Sequence, residues 1–517
     1  MENTQGAEPA EVRAESGEPD PRTPAGEPAT PASQVGEIGR QAGRGLRWSV
    51  MGTVLLKAGS FVMSLILARL LAPEDFGVYA IALSASQFVI YINDAGVIAA
   101  TVQWRGKLED MAPTATVVAI SSSLALYGIF WIAAPYFSSL SGSESAAGVI
   151  RVLTAVNLVY GMTAVRSAAL MRRFEQDKLT KANLVGFLVT APISITLAVN
   201  GAGAYSFAVG QLSGAVVTGV LVVAYARVRI GFGLDRVVAK RLLIFGLPLC
   251  FTLGIEGVLL NADSVIVGNA LGRTQLGYYL LAFNISSWVP GIVGTAVRYV
   301  ALPSFSRLAE EDRDSLSLGV QRAVPMLISI VLPVAVLMGT LATAMVVFLY
   351  GERWRPSAAV LTFLAVVMVV RMLIALAFDI LASMGKTKAT FWLNLGWAVA
   401  MIPGVMVGAR LGGIQGAAMG HAAIALVVAL PLGTFVLGRA GVVLTPLLSA
   451  LVRPLVGGVL SAVVTTVLAY LVHGSPFVQL VVAGGTGLLV YVLVVVPQAV
   501  LKQLGGRVTE LIPVRSR

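Results

Sequence analysis

Cysteine is nearly absent: Cys250 is the only one in 517 residues, which excludes a disulfide within the chain and argues against a thiolate metal site. Histidine is almost as scarce, and His421 and His473 offer no metal-ligand spacing. Charge is sparse too, with 12% Asp, Glu, Lys and Arg against 57% hydrophobic residues. That balance, with a mean hydropathy of +0.84, lies far from water-soluble domains. No glycine-rich phosphate loop ending in Lys and Ser or Thr is present, so ATP hydrolysis by this chain is not expected. Large outer loops with catalytic side chains are missing as well, and the chain reads as a non-enzyme with no catalytic residues, no metal and no cofactor beyond a coupling Na+ or H+.

What the sequence has instead is apolar runs of about 20 residues, the length at which a helix spans a bilayer. Barrel strands would be short and alternating, whereas "AVPMLISIVLPVAVLMGTLATAMVVFLY" is apolar throughout. The chain therefore reads as an all-α integral membrane protein with fourteen transmembrane helices between residues 48 and 500. Breaks such as "MRRFEQDKLTK", "ARVRIGFGLDRVVAKR" and "MGKTK" hold most of the Lys and Arg, and they alternate with sparsely charged breaks such as "SSLSGSESAAG" and "NGAGAYS". By the positive-inside rule the basic set and both termini are cytoplasmic. The formal charge of +11 is then a topological signal spread over loops, not a nucleic-acid surface. Residues 1–44, rich in Pro, Glu, Ala and Gly, are expected to be a disordered cytoplasmic tail, and residues 504–517 form a second tail.

A weak repeat divides the remainder. "SLILARLLAPEDFGVYAIA" (64–82) and "SVIVGNALGRTQLGYYLLA" (264–282), displaced by 200 residues, share Ser64, Ile66, Leu71, Gly77, Tyr79 and Ala82 with their counterparts. Both copies start on the cytoplasmic side, so residues 45–230 and 231–440 are expected to be parallel six-helix lobes, followed by two more helices over 441–503. Such lobes bind substrate at their interface and rock for alternating access. Glu74 and Asp75 are a carboxylate pair, but the second copy has Thr274 and Gln275, so the stretch reads as an exposed outer turn whose Gly77 and Gly277 cap or unwind helix ends.

Charges far from helix ends carry the functional argument, because each costs roughly 2.5–3.5 kcal/mol at a helix centre. The basic set is Lys57, Arg298 and Arg371, with Arg166 close enough to Arg172 to snorkel to the cytoplasm. The acidic set is Asp94, Glu256, Asp263 and Asp379. Glu256 and Asp263, seven residues apart, share a helix face, and Glu256 aligns next to Lys57 in the repeat. Two readings stay open. The charges form buried pairs that lock helices, as Lys57 with Glu256 would, or the basic residues line a cavity for an anionic group such as a diphosphate while a carboxylate holds a coupling cation. Gly408, Gly412, Gly416 and Gly420 form a small-residue ridge for close helix packing, with His421 a packed core residue behind it. Trp48, Trp104 and Trp354, near helix ends, fit an interfacial belt.

The second half, in "FGLPLCFTLGIEGVLLNADSVIVGNALGRTQLGYYLLAFNISSWVPG", "ALPSFSRLAEED", "LYGERWRPSAAVL" and "LASMGKTK", resembles the bacterial polysaccharide (Wzx-type) flippases of the multidrug, oligosaccharidyl-lipid and polysaccharide exporter superfamily. In the first half, "LARLLAPEDFGVYAIA" and "DAGVIAATVQ" are similar to that family as well. The resemblance covers about 47–500 and implies a MATE-like fold, with translocation of an undecaprenyl-diphosphate-linked glycan across the bacterial cytoplasmic membrane. A drug antiporter or peptidoglycan-precursor flippase of the same fold is the alternative, and a glycan polymerase or ligase a more distant one. Implied partners are the lipid-linked oligosaccharide, membrane lipids, and the polymerase and glycosyltransferases of the same pathway. Gly246, Pro248, Asp263, Gly268, Gly272, Gly277, Tyr279, Pro303, Gly351 and Trp354 match the family pattern and look like fold signatures. The long N-terminal tail departs from it.

Overall fold

The computed structural model describes the backbone of residues 31–103, 108–173, 175–227, 231–472 and 474–496. Within these, side chains are described except at 31–50, 91–100, 102–103, 108–109, 245, 247–256, 258–260 and a few single positions. The chain divides into units Met1–Arg44 and Gly45–Arg517, and the second holds the architecture that follows.

Helices succeed one another with no strand among the described residues: α1 Pro31–Leu70, α2 Pro73–Gln103, α3 Leu108–Leu140, α4 Ala146–Thr154, α5 Val156–Arg172, α6 Gln176–Val199, α7 Tyr205–Ala226, α8 Arg236–Leu271, α9 Arg273–Ser286, α10 Thr295–Glu311, α11 Arg313–Thr340, α12 Ala342–Tyr350, α13 Pro356–Ser383, α14 Thr387–Ile424, α15 Leu430–Arg439, α16 Leu447–Leu471, α17 Pro476–Gln479 and α18 Gly485–Val495. A helix satisfies its backbone groups within a single segment, which meets what a bilayer demands. Ten segments among the described residues are long and apolar enough to cross a membrane. Because α1 begins at Pro31, the backbone is helical over 31–44, where composition leads one to expect disorder. At the polar connection before α11, Asp312 caps the helix. The Ser315 amide donates to its carboxylate at 2.6 Å, and this bond holds the carboxyl below its usual range.

One apolar segment, Lys388–Arg439, has 52 residues and would be far too long for a single pass at 1.5 Å per residue. Gly412 (φ −139°) and Gly413 (φ 58°) break it. The glycine ridge then folds against itself. A β-carbon on Gly408 would lie 2.1 Å from the Gly416 carbonyl oxygen, and one on Gly420 would lie 2.3 Å from that of Gly404. The ridge read from the sequence is thus the contact face of a helical hairpin, with Gly412 and Gly413 at its bend. Gly416→Val is expected to destabilise this hairpin by at least the 1–3 kcal/mol or so of ordinary overpacking. Thermal unfolding of the detergent-solubilised protein, with a lowered midpoint, checks this.

The repeated stretch is the most informative part of the fold. α2 starts at Pro73 and α9 at Arg273, and α2 packs against both α8 and α9. A β-carbon on Gly77 would sit 1.8 Å from the Arg273 carbonyl oxygen, and one on Gly277 would sit 1.9 Å from the Pro73 carbonyl oxygen. At the repeat offset these two contacts exchange with each other. Thr274 Oγ1 donates to Glu74 Oε1 at 3.1 Å, joining equivalent positions of the two copies. The expectation of an exposed turn is therefore corrected. Glu74 and Asp75 are half-buried in the first turn of α2, and the Ala72 amide donates to Asp75 Oδ2 at 3.1 Å. Neither Gly77 nor Gly277 has a positive φ, so close approach of two backbones, not helix capping, requires glycine there.

Trp354 is also reassigned. It is fully buried, and its Nε1 donates to the Ala68 carbonyl at 2.7 Å, with Phe76 edge-on at 4.8 Å. An indole with its N–H satisfied seals a junction better than an interfacial belt needs. Trp48 and Trp104 lie outside the described side chains. Arg69 completes the seal by donating to the carbonyls of Phe348 and Leu349, both at 3.1 Å.

Candidate functional site

Farther along α13 from that seal, α10, α13 and α14, with the π-helical turn Pro290–Gly294, surround a cavity of about 310 Å³. Arg298, Arg371, Asp379, Asn394, Thr295 and Trp397 are among its lining residues. Arg298 Nε donates to Asp379 Oδ1 at 3.2 Å, and the two partners differ sharply in exposure, 73% for the arginine side chain and 7% for the aspartate. Asp379 therefore anchors a guanidinium whose remaining donors face the cavity. Arg371 sits with its guanidinium carbon 5.3 Å from the centre of the Phe283 ring, a cation–π contact that fixes its direction.

Behind Arg371 lies a buried polar layer. Tyr279 Oη donates to Asp263 Oδ2 at 3.1 Å and lies 3.4 Å from His421 Nδ1, while His421 Nδ1 is 3.9 Å from Asp263 Oδ2. The Ser264 amide donates to the other carboxylate oxygen at 2.8 Å. Arg371 is within electrostatic reach of both Asp263 and His421. Asp263 from α8, Tyr279 from α9 and His421 from the α14 hairpin thus form one unit. Sequence reasoning treated Tyr279 as a fold signature and His421 as core. The available signal was the repeat: in the first half the equivalent Tyr79 hydroxyl accepts from the Gln211 side chain, so each copy uses its tyrosine to hold a polar partner.

The other predicted residues are distributed as follows. Lys57 packs over Gly291, its Nζ 3.4 Å from where a β-carbon would stand, and Phe61 one turn on meets Trp288. Gly291 precedes Arg298 by seven residues, about 10 Å of helix, so Lys57 approaches the helix that carries Arg298. Arg166 is not among the residues lining this cavity. Its Nη1 donates to the Met162 carbonyl of its own helix at 3.4 Å, toward the helix N-terminus and away from Arg172. Helical side chains lean that way, which opposes the expected snorkelling. Asp94 and Glu256 belong to α2 and α8, but their side chains lie outside the described residues, as does any Lys57–Glu256 pair. No group of three potential metal-ligating residues occurs among the described residues.

The fold is that of a helical membrane protein of the MurJ and MATE type. Superposition on "Lipid II flippase MurJ, inward closed conformation" gives a TM-score of 0.72 at 13% identity, covering 86% of this chain and 97% of that one. An inward-facing multidrug resistance MATE family transporter of the MOP superfamily gives 0.61 at 16% identity, covering 76% and 98%. The family model described as "Polysaccharide biosynthesis protein" matches residues 66–359, more than half of the chain, and the chain belongs to that family. It is 29% identical over 378 residues to the succinoglycan biosynthesis transport protein ExoT of Rhizobium meliloti (strain 1021), covering 71% of this chain and 74% of that protein.

Proposed function

We propose that the protein is a flippase that moves a lipid-diphosphate-linked oligosaccharide across the bacterial cytoplasmic membrane by alternating access, with fourteen passes and both termini cytoplasmic. The observation that carries this reading is the cavity with Arg298 and Arg371 under a seal contributed by both repeats. Guanidinium groups bind phosphate oxygens in fixed fork geometry, and an anchored, solvent-facing arginine is poised for that contact. With Arg298, Arg371 and Asp379 the lining carries one net positive charge, which disfavours a cationic drug and favours a flippase over a cation antiporter. The relative named for succinoglycan transport points the same way. The polymerase and glycosyltransferases of the pathway are the partners this role implies.

The layer of Asp263, Tyr279 and His421 is the place proposed for a coupling H+ or Na+. A cation arriving at Asp263 alters the field at Arg371, so occupancy of the two sites is linked in both directions. In a deletion strain, lipid-linked glycan is expected to accumulate in the inner leaflet, and the wild-type gene clears it. The near-isosteric Asp263→Asn variant should insert normally yet lower export roughly 5- to 150-fold, the range of ordinary coupling energies. Changed drug sensitivity without glycan accumulation would instead establish the antiporter.

A further inference from the structure

A second cavity, of about 370 Å³, lies within the first half, among α1, α5, α6 and α7. Its size falls within the roughly 300–1,000 Å³ that ligand pockets occupy. None of its lining residues carries a charge, in contrast to the arginine-bearing cavity of the second half. Its polar lining is made of hydroxyls and carboxamides, including Ser167, Gln176, Thr180 and Asn183. Among the described residues, no hydrogen bond engages these four side chains. Thr180 is 8% exposed, and its neighbour Gly52 leaves its methyl group no spare room, so its position is fixed by packing.

Hydroxyls and carboxamides both donate and accept, which matches a ligand carrying many neutral hydroxyl groups. A phosphate finds no cation among the lining residues to balance its charge. Tyr160 contributes a part-exposed aromatic ring to the same lining, suited to the apolar face of a sugar ring. Position ties the two cavities together. Thr53 and Leu56 of α1 line this pocket, while Lys57, the next residue along, packs over Gly291 beside the charged cavity.

The geometry points to a carbohydrate subsite: this pocket holds neutral sugar units of the substrate while Arg298 and Arg371 hold its diphosphate. The assignment rests on the flippase reading above and adds a separate recognition element to it. Selectivity among glycans then resides in the first half, and head-group binding in the second.

Two probes test this on the full-length protein in nanodiscs: farnesyl diphosphate, and farnesyl diphosphate carrying one glucose. The glycosylated probe is expected to bind about tenfold more tightly to the wild type. Gln176→Leu combined with Thr180→Val should abolish that increment while leaving affinity for farnesyl diphosphate unchanged. Ser167→Ala with Asn183→Leu, which touches different positions, should do the same and guards against misfolding of the first variant. An increment that survives in both folded variants, or that is absent from the wild type while farnesyl diphosphate binds, overturns the subsite and leaves the flippase reading standing. Failure of both probes to bind the wild type overturns the diphosphate reading, and the subsite with it.

Discussion

Cross-linking of a Glu74→Cys/Thr274→Cys variant, made in a Cys250→Ser background, with a short bis-methanethiosulfonate reagent is expected to stop export, and a reducing agent to restore it. The native side chains meet at 3.1 Å across the junction of the two repeats, a gap the reagent spans once the longer glutamate is shortened to cysteine, and the sole native cysteine is removed. A transporter that alternates must break this contact once per cycle, and a covalent link forbids that. Normal export by the cross-linked protein, with cross-linking verified by a shift in electrophoretic mobility after cleavage between residues 74 and 274, would show that the seal need not open. Gly77→Val acts in the reverse sense. The added carbon meets a backbone carbonyl that cannot rotate away, so the sealed state loses at least about 1–3 kcal/mol of overpacking energy. That shifts the balance between sealed and open states by roughly 5- to 150-fold. Thiol labelling at position 74 from the outer side should rise accordingly.

Arg371→Ala and Arg298→Ala are the second pair of large effects. Each charge-assisted hydrogen bond to a phosphate oxygen contributes about 1.5–3 kcal/mol, so export should fall roughly 10- to 150-fold while membrane insertion stays intact. Arg298 needs a control, because its removal leaves Asp379 buried and without its partner. Asp379→Ala added to Arg298→Ala should recover thermal stability without recovering export. Normal export in both single variants would sink the cavity assignment.

That the chain is helical and spans a membrane was legible in the sequence because this rests on composition and period, which survive without knowledge of tertiary contacts. The meaning of Gly77 was not. A glycine near a helix start is read as a cap until one sees another backbone pressed against it. Trp354 misled for the same reason: its place near a helix end fits a membrane interface, and only the Ala68 carbonyl and Phe76 reveal a buried seal. His421 sits on the return arm of a hairpin whose bend depends on Gly412 and Gly413, so its meeting with Asp263 is a product of folding that no local pattern records. Arg166 lay between two accounts, and its bond to the Met162 carbonyl of its own helix fits neither.

At the centre of the seal, both Gly77 and Gly277 press on main-chain oxygens, which are the same whatever residue follows in the chain. The shutter is thus written in backbone, and the cargo in side chains. Exchange of the cavity-lining residues to accept a different glycan should therefore leave the shutter untouched. A single scaffold of this kind can be re-targeted without re-learning how to close.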